Sequence, residues 1–150
     1  MSENFDNLID KARRFCDYQE RCKSEVIDKL IHLEADKTDI QKIIQKLEDE
    51  NYLNEKRFAI AYAKGKLRSN KWGKQKIRFS LQAKKLKSEQ IQIGLNEIDE
   101  DEYQNILEQI IDSKQVKETN EHLRKAKIAK YAIQKGFESS LVWEVLRRND

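Results

Sequence analysis

Shifted along itself by 51 positions, the chain lays its apolar residues on one another. Val26 falls on Ile77 and Ile128, Leu30 on Leu81 and Ala132, and Ala35 on Leu86 and Phe137. The register continues through Ile40, Ile91 and Val142, and again through Ile44, Leu95 and Leu146. Apolar positions that recur three times in one register mark stacked supersecondary units, each completing its core against a neighbour. Within the units the spacing is helical. Ile40, Ile43, Ile44 and Leu47 make one stripe, and Phe58, Ala61, Tyr62 and Gly65 make the next.

These stripes and their flanking signals predict an all-α fold of three tandem three-helix repeats. The expected helices are 4–17, 24–35, 38–50, 54–69, 73–85, 88–98, 101–115, 121–135 and 139–148. Thr38 to Gln41 reads as a capping box, Ser24, Asn54 and Ser88 as N-caps, and Gly136 as a C-cap. The register lapses after the third helix of each unit, with Tyr52 in a turn where Tyr103 lies inside a helix. The expected division is residues 1–53 with the N-terminal helix, a basic unit 54–99, and a third unit 100–150. No Pro- or Ser-rich linker separates them, so the units stack with short joints.

Composition supports helices and limits the core. The chain has no proline and four glycines, and is rich in helix-forming Lys, Glu, Gln, Leu and Ile. Apolar and charged residues each make up 38% of its 150 positions, so the core is built from stripes on small helices. Cys16 and Cys22 are six apart, neither a CxxC pair nor on one helical face, and are expected as free thiols in a reducing cytosol. Met1 to Asp10 lacks an apolar signal region, and no window approaches a membrane span of about 18 apolar residues, so a cytoplasmic location is expected.

The net charge of +3 conceals a dipole. Lys56 to Lys87 holds twelve Lys or Arg and no acid, whereas Glu89 to Glu121 holds ten acids against Lys114 and Lys117. Ordinary solvated helix faces mix signs, because opposite charges four apart contribute about 0.2 to 0.5 kcal/mol per pair. A run that forgoes this gain points to a binding surface, with DNA phosphates and an acidic protein groove both admissible as targets. Arg57, Lys64 and Arg68 share one helical face, and Lys74, Arg78 and Lys85 share another. With Lys66, Lys71, Trp72 and Lys76 they complete the candidate contact set, in which Lys64, Arg68, Lys74 and Arg78 are expected to form one face. Trp72 reads equally as a hydrophobic plug at a helix start or as a stacking residue. Trp143, between Leu141 and Val145, reads as packing.

Catalytic chemistry has no residues to stand on. His32 and His122 are isolated, and there is no Gly-rich phosphate loop, nucleophile elbow or HExxH. The run Ile98 to Glu102 reads as acids favouring a helix N-terminus. No metal or cofactor is expected.

The run Tyr52-Leu53-Asn54-Glu55-Lys56-Arg57-Phe58-Ala59, followed by the basic segment to Ile77 and Arg78, resembles the hallmark of the RecX regulatory proteins of bacteria. Lys135-Gly136-Phe137 and Leu141-Val142 to Leu146 are similar to the family's C-terminal end, so the resemblance runs from Leu8 to Arg147. Asn51 stands where the family commonly has glycine, a position Asn tolerates because it enters the left-handed region. The resemblance implies an elongated, curved array that lodges, as a monomer, in the groove of the RecA nucleoprotein filament. There it would lower ATP hydrolysis, strand exchange and coprotease activity, with weak nonspecific contact to single- or double-stranded DNA. The alternative is a stand-alone helix-turn-helix-like DNA-binding protein, which would favour dimers and palindromic sites.

Overall fold

The computed structural model describes residues 3–148, and among them all regular structure is helical. The helices are α1 (Glu3–Tyr18), α2 (Lys23–His32), α3 (Lys37–Asp49), α4 (Glu55–Asn70), α5 (Lys74–Ala83), α6 (Ser88–Asn96), α7 (Glu100–Ser113), α8 (Glu121–Gln134) and α9 (Ser139–Arg148). Helices α1–α3, α4–α6 and α7–α9 pack among themselves, and α4 also meets α7.

The repeated register is the register of the core. Val26, Leu30, Ile77, Leu81, Ala132 and Val142 are fully buried, and Ile128, Ile91, Leu95, Leu146, Ile44, Leu86 and Phe137 nearly so. Ala35 and Ile40 are half-buried. The same register governs the backbone. Glu34, Lys85 and Gly136, each 51 apart, all take positive φ, at 65°, 68° and 106°. This left-handed residue closes the second helix of each group, and glycine suits it because other residues meet a Cβ clash there. Asn51 is left-handed as expected, with φ 63°.

Two helix starts differ from the sequence reading, and a third shifts by one residue. Asp36, not Thr38, caps α3, its carboxylate accepting from the Asp39 N–H at 2.8 Å. Cys22, not Ser24, caps α2, with Glu25 accepting its N–H at 3.1 Å, while the Ser24 hydroxyl is drawn away to donate to the Lys84 carbonyl at 2.8 Å. Lys87 precedes α6, leaving Ser88 as its first residue. Asn54 caps α4 as expected, accepting from the Arg57 N–H at 2.9 Å. The buried stripe of α4 is also turned. It runs through Phe58, Ala59, Ala63 and Leu67, whereas Ala61 and Gly65 are exposed. Close approach of α6 explains the rotation: a Cβ on Gly94 would lie 2.7 Å from the Ala59 backbone, so small residues must face one another.

The two joints between groups differ in chemistry. The buried side chains of α4–α9 form one continuous core that also takes in Cys22, whereas those of α1–α3 and Leu53 form a separate one. Around Cys22 the first joint is polar. Lys84 pairs with Glu25 at 3.0 Å, and the Lys23 N–H donates to Glu55 at 2.9 Å. The second joint is made by backbone. Gly73 N–H donates to the Lys135 carbonyl at 2.8 Å and Gln75 N–H to the Gly136 carbonyl at 2.9 Å. A Cβ on Gly73 would fall 2.3 Å from the Gly136 carbonyl carbon, so glycine is obligatory at this approach. Tyr103 braces the seam, its hydroxyl accepting from the Lys74 N–H at 2.9 Å and donating to Glu138.

Three outcomes are expected. Leu30→Ala and Leu81→Ala should each cost about 2 to 5 kcal/mol in chemical denaturation, because both side chains are fully enclosed. Glu34→Gly should add about 0.5 to 1 kcal/mol by relieving its left-handed strain. Burial holds the Glu55 carboxyl above the ordinary carboxylate range, and its Oε2 is enclosed without a partner. A raised folded pKa means the folded state binds the proton more readily, so this carboxylate opposes folding at neutral pH and the penalty disappears as pH falls through the raised value. Glu55→Gln should therefore raise the urea midpoint at pH 7 and leave it nearly unchanged near pH 4, whereas a loss at pH 7 would refute the assignment.

Candidate functional site

Packing sorts the basic segment into residues held by intramolecular partners and residues left open. Arg57 is held. Its guanidinium donates to the Glu20 carboxylate at 2.5 Å and to the carbonyls of Asn51 and Tyr52 at 3.1 and 3.2 Å, stapling the end of α1 and the 51–53 turn to α4. Arg68 makes a two-pronged pair with Glu102 at 2.8 and 3.1 Å. Lys74 pairs with Glu100, and its ammonium lies 4.6 Å from the centre of the Tyr103 ring. Arg78 donates to the Gln92 side chain at 3.1 Å.

Of the four residues expected to form one open face, Arg68 and Lys74 are therefore paired with acids and Arg78 with an amide, leaving Lys64. The acidic run Glu100 to Glu102 does begin a helix, with Asp99 as its cap, but it also answers the basic block from α7. The hydrogen bond from Arg68 holds the Glu102 carboxyl below the ordinary carboxylate range, with the charge of Lys64 adding to the effect. Sequence could not place this pairing, since the partners are 34 and 26 residues apart.

What remains open gathers around Trp72. The indole is half-buried against the core of α4–α9, and the ammonium groups of Lys66 and Lys76 lie 5.0 and 4.9 Å from its ring centre. Trp72 is thus partly a plug, and part of its surface stays in solvent beside the two ammonium groups. Lys71 follows α4 in the left-handed conformation, φ 55°, and is exposed. Lys135, which lies outside the basic block in sequence, joins it in space and donates from Nζ to the Asn70 carbonyl at 2.8 Å. Lys66, Lys71, Lys76 and Lys135 make no ion pair among the described residues. Such interleaved cations and aromatic surface can bind phosphates and stack planar groups.

Lys64 and Lys85 stand apart from this cluster. Lys64 is half-buried on α4. Lys85 is exposed and lines, with Lys23, Lys56 and Lys87, a cleft of about 560 Å³ between the first and second helix groups.

Other reactive groups are spoken for. Burial pushes the Cys16 thiol up to about 11 and raises that of Cys22 as well, so both are protonated at neutral pH. Trp143 is half-buried against the larger core. His32 and His122 are exposed, and among the described residues no three His, Cys, Asp or Glu converge on a metal site. No described helix is long and apolar enough to cross a membrane.

This architecture has counterparts. A family model described as RecX, second three-helix domain, matches residues 54–95, which span α4 to the last turn of α6. The regulatory protein RecX of Clostridium beijerinckii is 30% identical over 98% of this chain and 70% of its own length. That of Listeria monocytogenes serotype 4a is 32% identical over 89% of the chain and 50% of its own length, and that of Oceanobacillus iheyensis 28% over 91% and 51%. The chain thus spans about half the length of the latter two. The crystal structure of RecX from Lactobacillus salivarius superimposes with a TM-score of 0.88, covering 99% of this chain and 97% of that one at 20% identity. A further RecX crystal structure gives 0.82 over 97% and 72% at 17% identity. The shared fold and an identity sustained along nearly the whole sequence lead to one conclusion: this chain belongs to the RecX family of regulatory proteins.

Proposed function

We propose that this protein modulates the RecA recombinase by binding the RecA–DNA filament in its groove, lowering ATP hydrolysis, strand exchange and coprotease activity. The observation that carries the reading is the unpaired cationic cluster around Trp72, on a chain whose family is named for regulation. In this reading three units, residues 1–53, 54–99 and 100–150, form an elongated, curved ribbon acting as a monomer. Open lysines steer the ribbon to a polyanionic filament and set its register. Contacts spread along a rigid body then resist the relative motions of neighbouring protomers that hydrolysis and strand exchange require. Of the ten candidate residues, Lys64, Lys66, Lys71, Trp72, Lys76 and Lys85 are assigned to contact. Arg57 is engaged at the first joint, Arg68 and Lys74 are paired with carboxylates of α7, and Arg78 hydrogen-bonds Gln92 of α6.

The deciding measurement is the DNA-dependent ATPase of the cognate RecA with and without this protein. Unchanged hydrolysis at saturating protein would end the proposal. Reversing Lys71, Lys76 and Lys85 to Glu should abolish the inhibition with helicity preserved, because all three are exposed and exposed charges seldom hold a fold. As a control, reversing Lys114 and Lys117, within the acidic block, should do little.

The pairing of α4 and α5 with α7 yields a separate expectation. Glu100→Gln combined with Glu102→Gln should free Lys74 and Arg68 and move elution from heparin to higher salt. For single-stranded DNA the salt slope should steepen by about 0.7 for each additional phosphate neutralised. An unchanged elution position would mean that the freed side chains stay out of reach of phosphate.

A further inference from the structure

One large apolar side chain on α5 serves no fold. Phe79 is 74% exposed, although Ile77 and Leu81 beside it are completely buried. Its neighbours along the outer face of α5 are Gln75, Lys76, Gln82 and Ala83, all exposed, so its own helix gives it no large apolar side chain to pack on. The repeat register shows that an apolar residue is not needed here. The equivalent positions are Asp28 and Lys130, both exposed and charged.

Phe79 lies one turn beyond Lys76, whose ammonium reaches back to the Trp72 ring at 4.9 Å. A track therefore runs along α5 from Lys66, Lys71 and Trp72, over Lys76, to Phe79. Its cations have no carboxylate partner among the described residues. The ligand must combine flat apolar faces with closely spaced negative charge. A protein anchor site would surround an exposed aromatic with further apolar contact area, whereas α5 offers Gln75, Lys76, Gln82 and only the methyl group of Ala83. Duplex DNA keeps its base faces stacked inside. A single strand offers both bases and phosphates.

We propose that the outer face of α5 is a single-strand binding track in which a base stacks on Phe79 while Lys71 and Lys76 hold the flanking phosphates, with Trp72 as a second stacking surface. This deepens the filament reading by naming the strand contact and the residue that reads base faces. Its test needs no RecA, so the two readings can fail separately.

Binding is measured by fluorescence anisotropy on the full chain with three labelled probes of equal length: oligo-dT, an abasic oligomer and a duplex. Phe79→Ala should weaken oligo-dT binding about 5- to 100-fold, the loss of one stacked base. Binding of the abasic oligomer and the duplex should not change, and Phe79→Trp should restore oligo-dT binding. Circular dichroism is expected to match wild type, since the side chain is exposed. Equal oligo-dT affinity of wild type and Phe79→Ala would overturn the proposal. So would wild-type binding that is as tight to the abasic oligomer as to oligo-dT, which would mean a surface that senses charge alone. If Phe79→Ala instead reduces RecA inhibition with oligo-dT binding intact, Phe79 is a protein anchor and the track is refuted while the filament reading stands.

Discussion

The structure hangs on the backbone seam at Gly73 and Gly136. Two main-chain hydrogen bonds cross from Gly73 and the first turn of α5 to the loop after α8, at a separation that leaves no room for a Cβ. The contact fuses six helices into one core and closes that core with Phe137, whose ring lies 5.0 Å from that of Tyr103. It also decides where Trp72 can be. The indole immediately precedes Gly73, so the seam that joins two helix groups holds the aromatic at the edge of the core, between Lys66 and Lys76.

Fixing that loop also settles how the charge dipole is used. Had the helix groups been free of one another, twelve cations would face solvent together. Instead the start of α7 lies against α4 and α5, and Glu100 and Glu102 occupy Lys74 and Arg68. Exposed pairs of this kind contribute little to stability. Their larger effect is on the surface field, which is quenched over α7 and left intact around Trp72 and along α5. A block that looks uniform in sequence thus becomes a localised cationic edge.

How much of this was legible can be argued from single residues. Helix count, the 51-residue register and its buried members were readable because apolar spacing reports directly on what faces the core. The left-handed sites were half readable. Gly136 announces itself, but Glu34 and Lys85 adopt the same conformation without a glycine, and only the register reveals them. The turned stripe of α4 was hidden because it runs through Ala59 and Ala63, which carry little hydrophobic signal, with Ala59 against Gly94. For the site, sign and location of charge were legible and pairing was not. Arg57, Arg68 and Lys74 find acids through tertiary packing. Lys135 reaches the Trp72 loop from 65 residues away. Phe79 carries a signal in its charged register partners Asp28 and Lys130, but a register defined by apolar residues matching one another passes over a position where the apolar residue stands alone.

The two joints also divide the molecule mechanically. Main-chain hydrogen bonds between loops that cannot separate without opening a shared core make the second joint stiff. At the first joint the continuous core ends at Cys22, and the ion pairs Glu20–Arg57 and Glu25–Lys84, with a hydrogen bond from the Lys23 N–H to Glu55, bridge the groups beyond it. Interactions among partly exposed charges are screened by salt and easily exchanged for water. A burdened carboxylate, Glu55, weakens that joint further at neutral pH. The cationic edge is therefore carried on the six-helix body that the second joint closes, while α1–α3 are tied to that body largely by contacts that salt and water can weaken.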